Sequence, residues 1–331
     1  MDQTTPVRRR RRRRRRKLNP RFFMMVAVLA VLLILLICLL SRCGNNQNPA
    51  DSTTTSPTET QLPHGWKEEN GVRFFLGPDG TRLTGWQDIE GSRYFFDSNG
   101  ELMTGWLVEG DRKFYLCENG AMARGRVEVD GQVQYFTASG APIIYVNAEN
   151  PIPEGYEPIL EPLSLAISVE GSLVDTTCYE ALVKMLTDCN KEAPTVCVVS
   201  SYRTVEQQTK NFNRKVETLK AQGMTEDQAK IEAAKVISVP GTSEHHLGLA
   251  VDIVDTRSWN LNEEQENLPG QKWLMNNCWR YGFILRYPVG TEDQTGIIYE
   301  PWHYRYVGTE LAEELHKAGL TLDEYLRNLK P

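Results

Sequence analysis

The sequence predicts an α+β domain with a small antiparallel sheet, preceded by a solenoid-like module of β-hairpin repeats and by a single transmembrane helix. Three observations lead to this prediction. An uncharged apolar run follows an arginine-rich N-terminus, an aromatic segment repeats every twenty residues, and the C-terminal half mixes strand and helix patterns. Strands and helices that do not alternate regularly favour an antiparallel sheet over a parallel one.

The N-terminal segment predicts a membrane anchor. Residues 1–21 contain eleven Lys or Arg, and the stretch from Phe22 to Leu40 carries no charge. At about 1.5 Å per residue, a helix of this length approaches the roughly 30 Å thickness of the hydrocarbon core. Because basic flanks stay in the cytoplasm, we predict a cytoplasmic tail at 1–21, a transmembrane helix at 22–41 and an extracellular remainder.

Other interpretations of this segment fit less well. A cleaved signal peptide would have a shorter apolar region and a small-residue cleavage site, whereas this run ends in "SRCG". Cys43 could be a lipidation site, but Arg42 stands where lipobox cysteines follow a small residue. An arginine run can also bind nucleic acid. Its position directly before an apolar run favours a membrane topology, so no nucleic-acid partner is predicted.

A repeat module follows a Ser, Thr, Asn and Pro-rich linker, predicted to be flexible, at residues 44–63. Over residues 65–144, each twenty-residue unit contains an aromatic strand between glycine-containing turns, which is typical of a short hairpin. Because one hairpin alone is only marginally stable, the units must stack. Trp66, Trp86 and Trp106 are expected in that stack, and they could also form grooves for sugars or quaternary ammonium groups.

These units resemble the choline-binding and related cell-wall-binding repeats of Gram-positive surface proteins. The Gly-Trp opening of the units carries the resemblance. Choline-binding units usually have a second aromatic residue where this chain has Arg73, Arg93, Lys113 and Val133. Because a cation at that position would repel choline, we predict that the repeats bind a cell-wall glycan or polymer and not choline.

A proline-containing connector at residues 145–164 leads to the α+β domain at 165–331. The patterns predict helices and strands in this domain in the following order: a helix from Cys178 to Cys189, a strand at 195–203, a helical tract at 204–237, a helix at 271–281, strands at 282–288 and 296–307, and a closing helix from 309. Cys189 and Cys197 flank a short turn and could form a disulfide outside the membrane; buried free thiols are the alternative.

Two short segments, "SEHHLGLAVD" and "EPWH", carry the candidate chemistry. Strand alternation places Asp252 on an otherwise apolar face, where a lone carboxylate is costly unless it is paired or binds a metal ion. Together with His245 and His303 it would supply three ligands and leave a fourth position for water, as catalytic zinc requires. Glu300 is then the candidate general base, and Pro301 could kink the strand so that Glu300 and His303 face one cavity.

The segments "SEHHLGLAVD" and "YEPWHYRYVG" match the SxHxxGxAxD and ExWH signatures of the VanY-like zinc D-alanyl-D-alanine carboxypeptidases. The resemblance includes "SSYRTVEQQ" and covers about residues 165–329. It implies that His245, Asp252 and His303 bind Zn2+ and that Glu300 is the base. His246 falls at a variable position of the signature.

The same resemblance implies substrate contacts for Arg203, Gln208 and Ser243. The planar fork of Arg203 would hold the carboxylate of the substrate or the developing oxyanion. Each residue also has a structural alternative. Arg203 could pair with an acid, Gln208 could lie on a helix surface, and Ser243 could cap a turn.

We therefore expect a membrane-anchored extracellular zinc carboxypeptidase that removes the terminal D-alanine from peptidoglycan stem peptides at a Gram-positive cell wall. An LD-carboxypeptidase acting on tetrapeptide stems would use the same metal and arginine, so that alternative stays open. A catalytically silent wall-binding adaptor is the third hypothesis. An endopeptidase is disfavoured because Arg203 implies a free terminal carboxylate.

Overall fold

The computed structural model of the chain describes residues 64–193 and 196–329. The predicted cytoplasmic tail (1–21), transmembrane helix (22–41) and linker (44–63) lie outside this range. Within the described residues, no helix is both long enough and apolar enough to cross a membrane.

The repeat module is a succession of antiparallel hairpins, each closed by a tight turn. In three of these turns both central residues have positive φ, as at Asn70 and Gly71, which is the requirement of a type I′ turn. The paired strands are β1 (Gly65–Glu69) with β2 (Val72–Leu76), β3 (Gly85–Ile89) with β4 (Ser92–Phe96), β5 (Gly105–Glu109) with β6 (Arg112–Leu116), and β7 (Gly125–Val129) with β8 (Gln132–Phe136), which also pairs with β9 (Pro142–Ile143). The twenty-residue period therefore predicted the hairpins correctly.

Tryptophan side chains connect successive hairpins. The Trp66 ring lies edge-on to Phe75 of its own hairpin, with centroids 5.3 Å apart, and to Tyr94 of the next hairpin at 4.9 Å. Trp86 makes the equivalent contact with Phe114 of the following hairpin at 4.9 Å. Edge-to-face pairs of this kind stabilise a contact beyond the apolar area that they bury. The tryptophans thus supply the stacking that an isolated hairpin lacks.

The C-terminal domain is built around a four-stranded antiparallel sheet with the strand order β12 (Val196–Ser200), β13 (Ala250–Asp255), β15 (His303–Tyr306) and β14 (Phe283–Leu285). A short hairpin of β10 (Leu160–Pro162) and β11 (Leu173–Asp175) precedes it. The elements are β10 (Leu160–Pro162), β11 (Leu173–Asp175), α1 (Thr176–Glu192), β12 (Val196–Ser200), α2 (Val205–Ala221), α3 (Glu226–Ala234), β13 (Ala250–Asp255), α4 (Pro269–Asn277), β14 (Phe283–Leu285), α5 (Glu292–Thr295), β15 (His303–Tyr306), α6 (Thr309–Ala318) and α7 (Leu322–Asn328). This architecture confirms the α+β prediction.

The main core lies between α1 and the sheet. Leu182 and Met185 on α1 are fully buried and belong to one apolar cluster with Val251 and Ile253 of β13. Asp175 begins α1 as its N-cap, because its carboxylate accepts a hydrogen bond from the Thr177 backbone N–H. The packed helix holds β13 rigidly, and β13 in turn carries one of the candidate metal ligands.

Three predicted elements differ from the observed ones. The closing helix predicted from 309 is divided into α6 and α7, since Gly319 after α6 has a φ of 67°. The helical tract predicted at 204–237 is divided into α2 and α3, since Gly223 between them has a φ of 100° that continuous helix cannot accommodate. The strand predicted at 296–307 begins only at His303. Pro301 has no N–H to donate to a strand ladder, and the segment before His303 forms a turn in which His303 N–H donates to the Glu300 carbonyl at 3.2 Å.

The cysteines of the described residues are free thiols, including Cys189 and Cys197. The disulfide alternative for that pair is therefore wrong in this structure. Cys189 is buried in the main core, where burial raises its pKa to about 12. It therefore behaves as a small apolar core residue.

The end of the repeat module packs directly against the C-terminal domain. Ile143 of β9 joins an apolar cluster with Leu311 and Leu315 of α6. The Ser139 hydroxyl donates to Glu310 at 2.5 Å, and the Arg305 guanidinium donates to the Ile144 carbonyl at 2.7 Å. Apolar and polar contacts therefore join the two parts of the chain.

Candidate active site

Three side chains converge at the centre of the sheet. A short 3-10 helix (Glu244–Leu247) presents His245, while Asp252 on β13 pairs directly with His303 on β15. All three side chains are buried, and each offers one ligand atom within 4.8 Å of the others. His303 Nδ1 lies 3.2 Å from Asp252 Oδ1, and His245 Nε2 lies 3.4 Å from Asp252 Oδ2.

Hydrogen bonding fixes which nitrogen of His245 is available as a ligand. Its Nδ1 lies 2.7 Å from the Ser201 carbonyl oxygen, which can only accept, so Nδ1 carries the proton. Nε2 is then unprotonated, and its lone pair accepts a hydrogen bond from Arg203 Nη2 at 2.8 Å. Burial, reinforced by the nearby Arg203 cation, lowers the pKa of His245 to about 4, so the imidazole is neutral at physiological pH. A neutral, oriented imidazole is the form that binds a metal ion.

Charge in the cluster also suits a dication. Burial alone would disfavour the Asp252 carboxylate, but His245 and Arg203 outweigh that effect and hold its pKa well below the usual range. Burial likewise opposes protonation of His303, yet the surrounding carboxylates raise its pKa well above the usual value. Metal binding must therefore displace a proton from His303. Two imidazole nitrogens and one carboxylate oxygen in a buried cluster fit the ligand preference of zinc.

Glu300 lies at the edge of this cluster. The turn before β15 places its Oε2 3.4 Å from His303 Nδ1, and the residue is 7% exposed. Burial raises the pKa of Glu300. A carboxylate whose pKa is shifted toward neutrality accepts a proton more effectively, so the position and the pKa both suit a general base.

Arg203 contacts two of the predicted metal ligands. Its Nη2 lies 2.6 Å from Asp252 Oδ2 and 2.8 Å from His245 Nε2, while its Nη1 donates to Gln208 Oε1 at 3.1 Å. The structure therefore shows the acid pairing that was the alternative to a substrate contact. The guanidinium lies beside two of the side chains that would hold a zinc ion, so we expect it to turn toward the cavity when zinc binds.

Gln208 and Ser243 both border the cavity and both have structural contacts. Gln208 is fully buried on α2, where it accepts from Arg203 and donates to the Ser238 carbonyl at 2.7 Å. It is therefore not a surface residue of the helix. The Ser243 hydroxyl caps the 3-10 helix by accepting from the His245 N–H at 3.4 Å. His246 lies outside the cluster, because its Nδ1 contacts the Arg203 carbonyl and its Nε2 accepts from Gly241.

A cavity of about 320 Å³ opens onto the cluster. Its size is in the usual range for small-molecule sites. Sequence reasoning did not identify several of its lining residues, which are Asn211, Arg214, Leu261, Tyr287, Ile297 and Trp302. Sequence reasoning also missed Glu244, which is buried beside Arg286 and Arg305. The sequence offered two signals for this residue set. An acid stands directly before the histidine pair, and arginines occur within otherwise apolar strands.

The fold and this site define a metallopeptidase, and comparisons with known proteins agree. The VanY family of D-alanyl-D-alanine carboxypeptidases matches residues 171–309, and the choline-binding repeat family matches residues 83–126. A D-alanyl-D-alanine carboxypeptidase of Enterococcus faecalis is 42% identical over 188 residues. That alignment covers 57% of this chain and 66% of the relative, slightly less than two thirds of its length.

Solved structures extend the comparison. A VanY D,D-pentapeptidase mutant in complex with Zn(II) is 42% identical, with a TM-score of 0.50, and the match covers 55% of this chain and 97% of that one. VanYB in complex with D-alanine-D-alanine is also 42% identical, with a TM-score of 0.51 over 56% and 98% of the two chains. The LdcB LD-carboxypeptidase is 31% identical, with a TM-score of 0.51 over 62% and 95%.

The chain belongs to the VanY family of D-alanyl-D-alanine carboxypeptidases. Its C-terminal domain is accordingly a zinc-dependent carboxypeptidase domain.

Two substitutions separate metal binding from proton transfer at this site. We expect Glu300→Ala to retain zinc but to lose activity by about 10²–10⁴-fold, the usual contribution of a general base. His303→Ala should lose zinc and activity together, because it removes a ligand. Metal analysis of the purified variants, combined with an assay of D-alanine release, measures both effects. Wild-type D-alanine release from either variant would contradict these roles.

Proposed function

We propose that this chain is a zinc carboxypeptidase that removes the C-terminal D-alanine from peptidoglycan stem peptides. The observation that carries the proposal is the buried cluster of His245, Asp252 and His303 with Glu300 3.4 Å from His303. It combines a fitting zinc ligand set with an adjacent base of raised pKa. A relative of 42% identity that binds D-alanine-D-alanine supports the substrate class.

The side chains around the cavity suggest how the reaction proceeds. A bound zinc ion would supply Lewis acidity toward the scissile carbonyl and would lower the pKa of a water molecule. Glu300 accepts the proton of the attacking water and then passes it to the leaving amine of D-alanine. Arg203, held by Ser200 and Gln208, offers a guanidinium for the terminal carboxylate once it has turned from Asp252. The buried wall of Tyr287 and Trp302 limits access of bulk water.

An LD-carboxypeptidase is the second candidate function. The LdcB LD-carboxypeptidase shares this fold at 31% identity, which favours that candidate over any unrelated reaction. Both activities need the same metal ligands, base and carboxylate-binding arginine. They differ in the stereochemistry of the residue that precedes D-alanine. A silent adaptor is disfavoured because all four residues of the zinc site are present and lie close together.

The repeats supply the wall attachment in this proposal. A cation lies over the face of each tryptophan: Arg73 is 5.0 Å from the Trp66 centroid, and Lys113 is 4.1 Å from that of Trp106. A quaternary ammonium group would need the same electron-rich face. The side chains of the module therefore compete with choline, which supports a glycan or other wall polymer as the ligand.

Incubation with matched muramyl tetrapeptide and pentapeptide tests the proposed reaction. We expect the full chain to release D-alanine from the pentapeptide, read by mass spectrometry, and Glu300→Ala to release far less. Release from the tetrapeptide alone would establish the LD activity and refute the proposed one. An absence of release from both substrates by the zinc-loaded wild type would support the adaptor.

Choline-affinity resin tests the proposed specificity of the repeats. The full chain should pass through the resin, because its own cations occupy the tryptophan faces. Retention that is reversed by free choline would show that the repeats bind choline. Pull-down with purified cell walls is the matching positive measurement, and the expected result is retention that choline does not reverse.

We also propose that residues 22–41 anchor the enzyme in the cell membrane with its catalytic domain outside. The uncharged apolar run and the basic segment before it support this topology. The full chain should remain in the membrane fraction after alkaline carbonate washing. A chain that lacks residues 1–41 should appear in the soluble fraction. Full release of the intact chain by the wash would contradict a spanning anchor.

A further inference from the structure

A second charged cluster lies behind the zinc ligands. It consists of Glu244, Arg286, Arg305 and Asp323, and each of these side chains is only 1% exposed. Two cations and two carboxylates make the cluster neutral as a whole. Buried charges of this kind persist only when every member has a partner, since an isolated buried ion costs several kcal/mol.

The two arginines hold one oxygen of Glu244. Arg286 Nε donates to Glu244 Oε1 at 2.8 Å, and Arg305 Nη1 lies 2.9 Å from the same oxygen. Arg286 also forms an ion pair with Asp323 through its other nitrogens. The second oxygen, Glu244 Oε2, has no hydrogen-bond partner within residues 64–193 and 196–329. It faces His303 Nε2 at a distance of 3.8 Å.

His303 presents the complementary atom. Its Nδ1 lies 3.2 Å from Asp252 Oδ1 and is therefore the nitrogen on the side of the other metal ligands. A neutral imidazole that binds a metal ion through Nδ1 must carry its hydrogen on Nε2. In the described part of the chain, Nε2 also has no hydrogen-bond partner. A buried donor and a buried acceptor that are both unpaired destabilise the folded protein. A small rotation of the imidazole would pair them.

We propose that Glu244 is a positioning residue for the zinc site, in that its Oε2 accepts the Nε2–H of His303 and directs Nδ1 toward the metal ion. This inference deepens the proposed function and rests on the zinc site that it includes. Arg286 and Arg305 both pair with Glu244 Oε1 and fix the position of this carboxylate. Carboxylates that hold a ligating histidine in this way raise its basicity and its affinity for the metal.

The segment after the repeats closes the cluster on its far side. Tyr145 donates its hydroxyl to Asp323 Oδ1 at 2.7 Å, and Arg305 donates to the Ile144 carbonyl at 2.7 Å. Polar contacts thus run from this segment through Arg305 to Glu244, whose Oε2 lies 3.8 Å from His303 Nε2. The packing of the repeat module on the peptidase domain therefore supports the arginine that holds Glu244.

Zinc affinity of the full chain, measured by competition with a chelator, tests this role without any substrate. We expect Glu244→Gln to weaken zinc binding by about 10–100-fold, the usual effect of losing such a partner. Asp323→Asn is the matched control. It also removes one negative charge that pairs with Arg286, but Asp323 does not contact a zinc ligand. This variant should weaken zinc binding far less than Glu244→Gln does.

Wild-type zinc affinity in Glu244→Gln would overturn the proposal, as would an equal loss in both variants. If Glu244→Gln does not fold, Glu244→Asp keeps the charge and withdraws the carboxylate from His303 by one methylene. We expect weaker zinc binding there too, and wild-type affinity would overturn the proposal. A wild-type chain that binds zinc but releases no D-alanine would refute the proposed function and leave this role of Glu244 intact.

Discussion

The register between β13 and β15 sets Asp252 directly opposite His303, and the zinc ligand set depends on that pairing. Since successive strand residues face opposite sides, a slip of one residue would turn His303 away from Asp252. The apolar residues beside Asp252 on β13 fix the register, because they must meet the core beneath α1. The register of this strand pair therefore determines both the packing of the hydrophobic core and the geometry of the candidate active site.

Buried charge is the second feature that the fold has to accommodate. Asp252 is neutralised by Arg203 and histidine, while Glu244 is neutralised by Arg286 and Arg305. Cations serve a comparable internal purpose in the repeats, where they lie over tryptophan faces. In the described part of the chain, basic side chains thus neutralise buried carboxylates and pack against aromatic rings.

Sequence patterns predicted the features of this structure that depend on residues close together in the chain. The twenty-residue period specified the hairpins, and alternation in "LAVDIV" showed that Asp252 interrupts an apolar face. Contacts between distant residues were not predictable in the same way. Arg203 meets Asp252 across 49 positions, and Arg286 meets Glu244 across 42, so both depend on tertiary packing. The break at Gly223 also escaped prediction, because the helical pattern continues on both sides of it.

Anomalous diffraction at the zinc absorption edge from crystals of the zinc-loaded enzyme tests the central claim most directly. The account predicts one zinc peak, about 2.0–2.2 Å from His245 Nε2, an Asp252 carboxylate oxygen and His303 Nδ1, with Glu300 nearby but not coordinating. A zinc ion bound elsewhere, or coordination through His303 Nε2, would contradict it.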